Sequence, residues 1–390
     1  MVGAMLAVSA CGQAGAGGAA SQPLTPNPSA SAPNAYAPVD AAACVARVLA
    51  GMTEEQRVGQ LLHVGLAGNR LGPAETDAIR RYHVGSVWFT ESSTAGVAAI
   101  RAVADAVQAQ ATGSATAGVR FYVAANQEGG RIQALGGTGF SRIPPAITQG
   151  GLPVADLESD AQRWAGELRA AGVNMDFAPV LDVVPPGTDA TNEPIGVLQR
   201  EYGHDPATAG GHGVAFLRGM QGAGVVTTVK HFPGLGRVQG NTDFTASVVD
   251  GVTGPADPYL QSFQQGIDAG APFVMVALAT YTRIDPARLA VFSPTVMRLL
   301  RDRMRFDGVI VSDDLGAAAA VAAIAPEQRA LDFLAAGGDL VVSKTLDASV
   351  RMVTAVQSRA ASDAAFRVLV DSAALRVLNA KQAYGLLPCA

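Results

Sequence analysis

The sequence predicts an α/β protein, a single-domain (β/α)8 barrel of the TIM type. Three observations carry this. Short apolar runs alternate with amphipathic stretches about eight times along the chain. Several of the runs, such as Phe273-Val274-Met275-Val276 and Val309-Ile310-Val311, are apolar throughout, as strands buried on both faces of a parallel sheet must be. Polar residues recur at their C-terminal ends: Asn126, Asp182, His231, Asp313 and Lys344. A barrel of this kind keeps its functional groups there. A doubly wound sheet is the alternative, weakened by that recurrence of polar ends all round.

In chain order, strands are expected at Gly59–Leu66, Gly85–Thr90, Phe121–Asn126, Met175–Asp182, Val225–His231, Phe273–Ala279, Gly308–Asp313 and Asp339–Ser343. Helices are expected at Ala74–Tyr82, Thr94–Ala111, Val154–Ala171, Pro206–Gly222, Pro258–Ala269, Pro294–Arg303, Glu327–Ala336 and Phe366–Ala383. Thr53 and Gln56 make a capping box ahead of the first strand. No run approaches the roughly 18 to 20 apolar residues of a membrane-crossing helix.

The chain has 390 residues, 49% of them hydrophobic and 16% charged, with a net charge of −5. That composition suits a large buried core. Without a basic block, nucleic acid is not expected as a partner. Residues 1–11 end in Val8-Ser9-Ala10-Cys11 and look like a bacterial lipoprotein signal, although the basic start of such a signal is absent. Cys11 would carry the lipid. Residues 12–40 are rich in Gly, Ala, Ser and Pro and read as a flexible tether, with the barrel occupying 41–390. The expectation is an exported monomer, held at the outer face of the cell membrane by its lipid alone. In that compartment disulfides persist, and Cys44 and Cys389 flank the folded part at ends that tend to lie close together. They are the candidate bridge, with two reduced thiols as the alternative.

Chemistry concentrates in two places. Val229 to Asp243 reads V-K-H-F-P-G-L-G-R-V-Q-G-N-T-D. An apolar strand there delivers Lys230 and His231 to a loop built on Gly234, Gly236 and Gly240. The second is Asp313, a carboxylate at the end of a buried strand, where barrels keep catalytic groups. Asp314, one residue on, suits the cap of a following helix over Leu315–Ala323.

These runs, together with Gln127-Glu128-Gly129-Gly130-Arg131 and Asp176-Phe177-Ala178-Pro179-Val180-Leu181-Asp182, resemble glycoside hydrolase family 3 in chain order. More narrowly, they resemble its single-domain bacterial β-N-acetylglucosaminidases, in the lipoprotein form of actinobacteria. The resemblance spans roughly Ala42 to Leu387. It implies a barrel fold and a retaining, exo-acting hydrolase for terminal β-linked N-acetylglucosamine, acting on peptidoglycan fragments in cell-wall turnover. Asp313 matches the nucleophile. The acid/base of this branch is a histidine two residues after an aspartate. Here the matching triplet is Asn241-Thr242-Asp243, so Asp243 stands for the histidine and Asn241 for the aspartate. A carboxylic acid can protonate a leaving oxygen when burial or a neighbouring carboxylate raises its pKa. Asp313 would supply that charge, and Asn241 would orient Asp243. The contrary reading is a degenerate site that binds sugar without turning it over.

Substrate-binding positions implied by the resemblance are Asn126, Arg131, Arg200, Lys230 and His231. Asn126 replaces an aspartate, Ala134 an arginine, and Leu278 a residue that is often histidine. His63 and His83 are read as structural, His204 as adjacent to Arg200, and Trp88 as core or cleft lining. No metal or cofactor is called for, since retaining glycosidases work with carboxylates alone. A phosphorylase is disfavoured, because Asp243 would repel the incoming dianion. An aldolase using Lys230 as a Schiff-base amine is the reading from another enzyme class.

Overall fold

The computed structural model describes residues 41–389. Cys11, the signal over 1–11 and the tether over 12–40 lie outside the described residues. Eight parallel strands close into a barrel: β1 (Leu62–Leu66), β2 (Ser86–Phe89), β3 (Tyr122–Ala125), β4 (Met175–Asp176), β5 (Val226–Phe232), β6 (Phe273–Val276), β7 (Val309–Asp314) and β8 (Leu340–Ser343). Each pairs with its neighbour in sequence, and β8 returns to β1 through Leu62 opposite Val341. Helices cover the outside, so the strands are buried on both faces, as the unbroken apolar runs require. Among the described residues no helix is long and apolar enough to cross a membrane.

Boundaries differ from expectation in four places. The strand expected over Met175–Asp182 pairs only at Met175 and Asp176, then resumes as a single bridge between Val180 and Lys230. Pro179 interrupts it, having no N–H to give to a ladder. No α-helix forms over Leu315–Ala323; Asp314 instead accepts backbone N–H bonds from Gly316 and Lys344, 2.8 Å each, and pins a loop. The helix expected to Arg303 ends as an α-helix at Arg298 and continues as a π-turn over Leu299–Arg303. The 17-residue helix Leu346–Ser362, which follows β8, was not expected. Its alanines and serines blunt the hydrophobic period that marks a helix. The capping box forms as expected, with Thr53 capping Glu54–Gly59.

The N-terminal end of the barrel is plugged. Helix Ala364–Ala383 buries Lys381, whose Nζ donates to Gln60 Oε1 at 2.7 Å and the Gly85 carbonyl at 2.8 Å. Burial pushes this ammonium down to about 7. Cys44, on helix Ala41–Gly51, and Cys389 form a disulfide that ties this end together, their Cα atoms 6.0 Å apart. His63 packs inside the barrel against Phe177, and one of its ring nitrogens meets the Val87 carbonyl at 2.9 Å. His83 caps helix Pro73–Tyr82 in the left-handed conformation and bonds the Ala115 carbonyl. Both are structural, as expected.

His63 gives a stability test. Burial drives its pKa down to about 3, whereas an unfolded histidine titrates near 6.5. Between those values the unfolded chain binds the extra proton, so stability falls as pH falls. The imidazole should cost about 2 kcal/mol between pH 7 and pH 5. Urea unfolding of His63→Gln, which keeps a donor for Val87 but cannot titrate, should show that much less acid sensitivity than wild type. Equal pH slopes would mean His63 protonates freely in the folded state.

Candidate active site

A cavity of about 520 Å³ opens among the C-terminal strand ends. Its lining includes Asn126, Arg200, Lys230, His231, Asn241, Asp243 and Asp313, so seven of the sequence-predicted positions converge. Two local distortions deliver the key groups. Between Val229 and Phe232, β5 runs three residues for two of β6, and between Val311 and Asp314, β7 does the same against β8. An extra residue in one strand re-aims the side chains there. The two bulges fall on Lys230-His231 and Ser312-Asp313. Ser312 Oγ accepts from the Val342 N–H at 2.9 Å, filling the gap its bulge leaves in the ladder.

Beneath the floor lies a charge cluster. Glu128 is buried, and its carboxylate takes two hydrogen bonds from Arg200, at 2.7 and 2.8 Å, and an ion pair from Lys230 at 2.5 Å. Burial opposes ionisation of Glu128, but the two cations outweigh it and hold the carboxyl at about 2. Lys230 Nζ also donates to Asn126 Oδ1 at 2.8 Å. Asp182 accepts from His231 Nδ1 at 2.7 Å and from the Leu235 N–H at 2.7 Å, which fixes the ring and the start of the following loop. The other ring nitrogen, Nε2, lies 3.3 Å from Arg200. Asp176, fully buried beside this cluster, is pushed up to about 7 by burial.

The loop carrying Asp243 is held from both sides. Asn192 donates to the Leu235 and Val238 carbonyls at 2.8 and 2.7 Å, and Glu193 accepts from the Asn241 N–H. From the β7 side, Ala319 and Ala320 donate to the carbonyls of Asp243 and Thr242, 3.1 Å each. Gly236 is required here, because a Cβ would overlap the Val183 carbonyl. Asp243 is exposed toward the cavity mouth, with protein on its other sides. Burial of that kind, then the charge of Asp313, raises its pKa, against the opposing pull of Arg200, His231 and Lys344. Asp314 is likewise raised, to about 6, by burial and by Asp313 and Asp243.

One expectation is sharpened and one corrected. Asn241 Oδ1 accepts from the backbone N–H of Asp243 at 3.0 Å, so it acts on Asp243 by shaping the turn. Arg131 is exposed at the turn of a small hairpin, Gln127–Gly129 with Ile132–Gln133, and is not part of the cavity lining. Gly129 and Gly130 there take positive φ angles of 103° and 58°, which directs the following arginine outward. Sequence reasoning missed Glu128 as a site residue, although it sits in a motif already singled out. It also gave Asp182 no role beyond a polar strand end. Trp88 lines the cavity and meets Phe177 edge-on at 5.8 Å.

A mouth lined by fixed cations, an amide and an imidazole, with one carboxylate at the end of β7 and another on the loop after β5, suits a polyhydroxylated ligand and acid–base cleavage of its linkages. That is the class of the glycoside hydrolases. Residues 53–380 match the glycosyl hydrolase family 3 N-terminal domain, and the chain belongs to glycosyl hydrolase family 3. A solved β-N-acetylhexosaminidase from Beutenbergia cavernae DSM 12333 is 48% identical, with a TM-score of 0.83, over 85% of this chain and 98% of that one. A β-hexosaminidase of Xanthomonas euvesicatoria pv. vesicatoria (strain 85-10) is 32% identical over 328 residues, 81% of this chain and 92% of its own. A family 3 β-N-acetylglucosaminidase from Paenibacillus sp. str. FPU-7 is 27% identical, with a TM-score of 0.77, over 86% of this chain and 63% of that one.

Removing the central carboxylate tests the cluster. Glu128→Gln leaves Lys230 and Arg200 buried without their counter-charge, and breaking such a pair typically costs about 3–5 kcal/mol. Chemical denaturation should show a loss of that order. A loss below about 1 kcal/mol would mean that the two cations do not depend on Glu128.

Proposed function

We propose that the chain is a retaining, exo-acting β-N-acetylhexosaminidase that removes terminal β-linked N-acetylglucosamine, with Asp313 as nucleophile and Asp243 as general acid/base. The observation that carries the reading is the presence of both carboxylates in one cavity with Lys230, His231 and Asn126. The names of the 48% and 32% identical relatives support the substrate class.

In the first step an Asp313 carboxylate oxygen attacks the anomeric carbon while protonated Asp243 gives its proton to the glycosidic oxygen. The carbon–oxygen bond breaks and the aglycone leaves as an alcohol. In the second step Asp243, now a carboxylate, takes a proton from a water that attacks the same carbon. The Asp313 ester breaks, and free sugar and both starting groups are restored. The raised pKa of Asp243 suits it to hold the proton that the first step needs. Asp313 raises it, and once Asp313 is esterified that charge is gone, so Asp243 becomes the stronger acid and readily ionises to serve as base. Lys230, His231, Arg200 and Asn126 are assigned to the sugar hydroxyls. The reading includes a monomer held by a lipid on Cys11 at the outer face of the cell membrane, acting on peptidoglycan fragments.

Kinetics with two substrates test the roles. Asp313→Asn should abolish turnover of every β-N-acetylglucosaminide. Asp243→Asn should lose about 10²-fold or more on a disaccharide, whose leaving group needs a proton, and far less in the glycosylation step on a dinitrophenyl glycoside. Because the acid must be protonated, wild-type kcat/KM should fall as pH rises through the Asp243 pKa, and the variant should lack that limb. Equal losses on both substrates would remove Asp243 from the acid role. Sugar binding without turnover in wild type would overturn the hydrolase reading.

A further inference from the structure

The segment between β4 and helix Pro206–Gly222 holds a second cluster that the hydrolase chemistry does not use. Asp189, Glu201 and His204 each bring one ligand-type atom within 4.8 Å of the others. His204 Nδ1 lies 3.6 Å from Asp189 Oδ1 and donates to the Val184 carbonyl oxygen at 3.2 Å, a proton that an ion bound at Nδ1 would displace. Glu201 is only 2% exposed, and its Oε2 is buried without a hydrogen-bond partner among the described residues. Two facing carboxylates, one of them out of water, repel each other unless a proton or a cation lies between them. An unsatisfied buried oxygen is costly to keep, and burial together with Asp189 pushes the Glu201 carboxyl up to about 7.

We propose that Asp189, Glu201 and His204 bind one divalent transition ion of the zinc class. Two carboxylate oxygens and one imidazole nitrogen make a donor set that suits zinc. With ligands about 2.1 Å from a tetrahedral metal, donor atoms stand roughly 3.4 Å apart; the His204–Asp189 separation already fits. The wider separations, up to 4.8 Å, need a contraction of up to about 1.4 Å, within reach of the half-exposed Asp189 and His204 side chains. Calcium, which takes 6–8 oxygens, finds too few donors here. Asp189 and His204 stand at the two ends of a segment that carries Arg200 and also Asn192 and Glu193, the residues that brace the loop of Asp243. The ion therefore clamps the wall of the cavity from outside without touching the reacting atoms.

The experiment is metal uptake by the purified full chain, stripped with a chelator, dialysed against zinc sulfate at pH 7.5 and assayed by elemental analysis. One equivalent of zinc per chain and a raised melting temperature are expected. Calcium and magnesium chloride should give neither. Glu201→Gln and His204→Ala should each weaken zinc binding by about tenfold or more, while both variants keep the wild-type melting temperature in chelator within a few degrees. Absence of zinc uptake by wild type, or undiminished uptake by the Glu201→Gln/His204→Ala double variant, overturns the proposal. Neither readout requires hydrolysis, so the outcome stands apart from that of the glycosidase assays.

Discussion

The cavity depends on one buried carboxylate. Glu128 takes both hydrogen bonds of the Arg200 fork and the ammonium of Lys230. Without that counter-charge, two cations would sit desolvated at the centre of the fold, an arrangement whose cost exceeds most single interactions in a protein. With it, Lys230 is directed to Asn126 and Arg200 to His231. Three different segments, the turn after β3, the loop after β4 and the end of β5, are thereby locked in one register. Asp182 does the same for His231 and the loop beyond it.

On this positive floor sit the carboxylates of Asp313, Asp314 and Asp243, and their surroundings separate their tasks. Asp314 spends its oxygens on backbone N–H groups of Gly316 and Lys344, which makes it a structural acid. Asp313 lies in a bulge of β7 and lines the cavity. Asp243 arrives on a separate loop, near enough to feel Asp313 and raised for that reason after burial. Pairs of acids whose environments differ are how a single pH serves both a nucleophile and a proton donor. An imidazole would need no such neighbour to titrate near neutrality. A carboxylic acid needs one to have its pKa raised, and the N–H groups of Ala319 and Ala320 hold the Asp243 loop on the β7 side, where Asp313 stands.

Much of the fold was legible because barrel strands are buried on both faces, and unbroken apolar runs record that directly. Lys230, His231 and Asp313 were legible as polar groups at the ends of such runs. Arg131 was misplaced because a motif gives neighbours in sequence but not the direction of a side chain, and two glycines with positive φ send it outward. Asn241 meets Asp243 as expected, but through the backbone N–H: its amide closes a local turn, which a short polar side chain does readily. Asp189 and the Glu201–His204 pair lie a dozen residues apart in a stretch without periodic pattern, so nothing in their spacing suggested a cluster.

By itself the sequence determined the barrel, the family and the identities of the groups available for chemistry, since hydrophobic period and residue type are local properties. The tertiary structure decided which of those groups meet. The bulges at Lys230-His231 and Ser312-Asp313, the neutralisation of Arg200 by Glu128, and the raised pKa of Asp243 all arise between segments far apart in the chain. A pKa depends on burial and on charges brought close by packing, and neither is written at any single position.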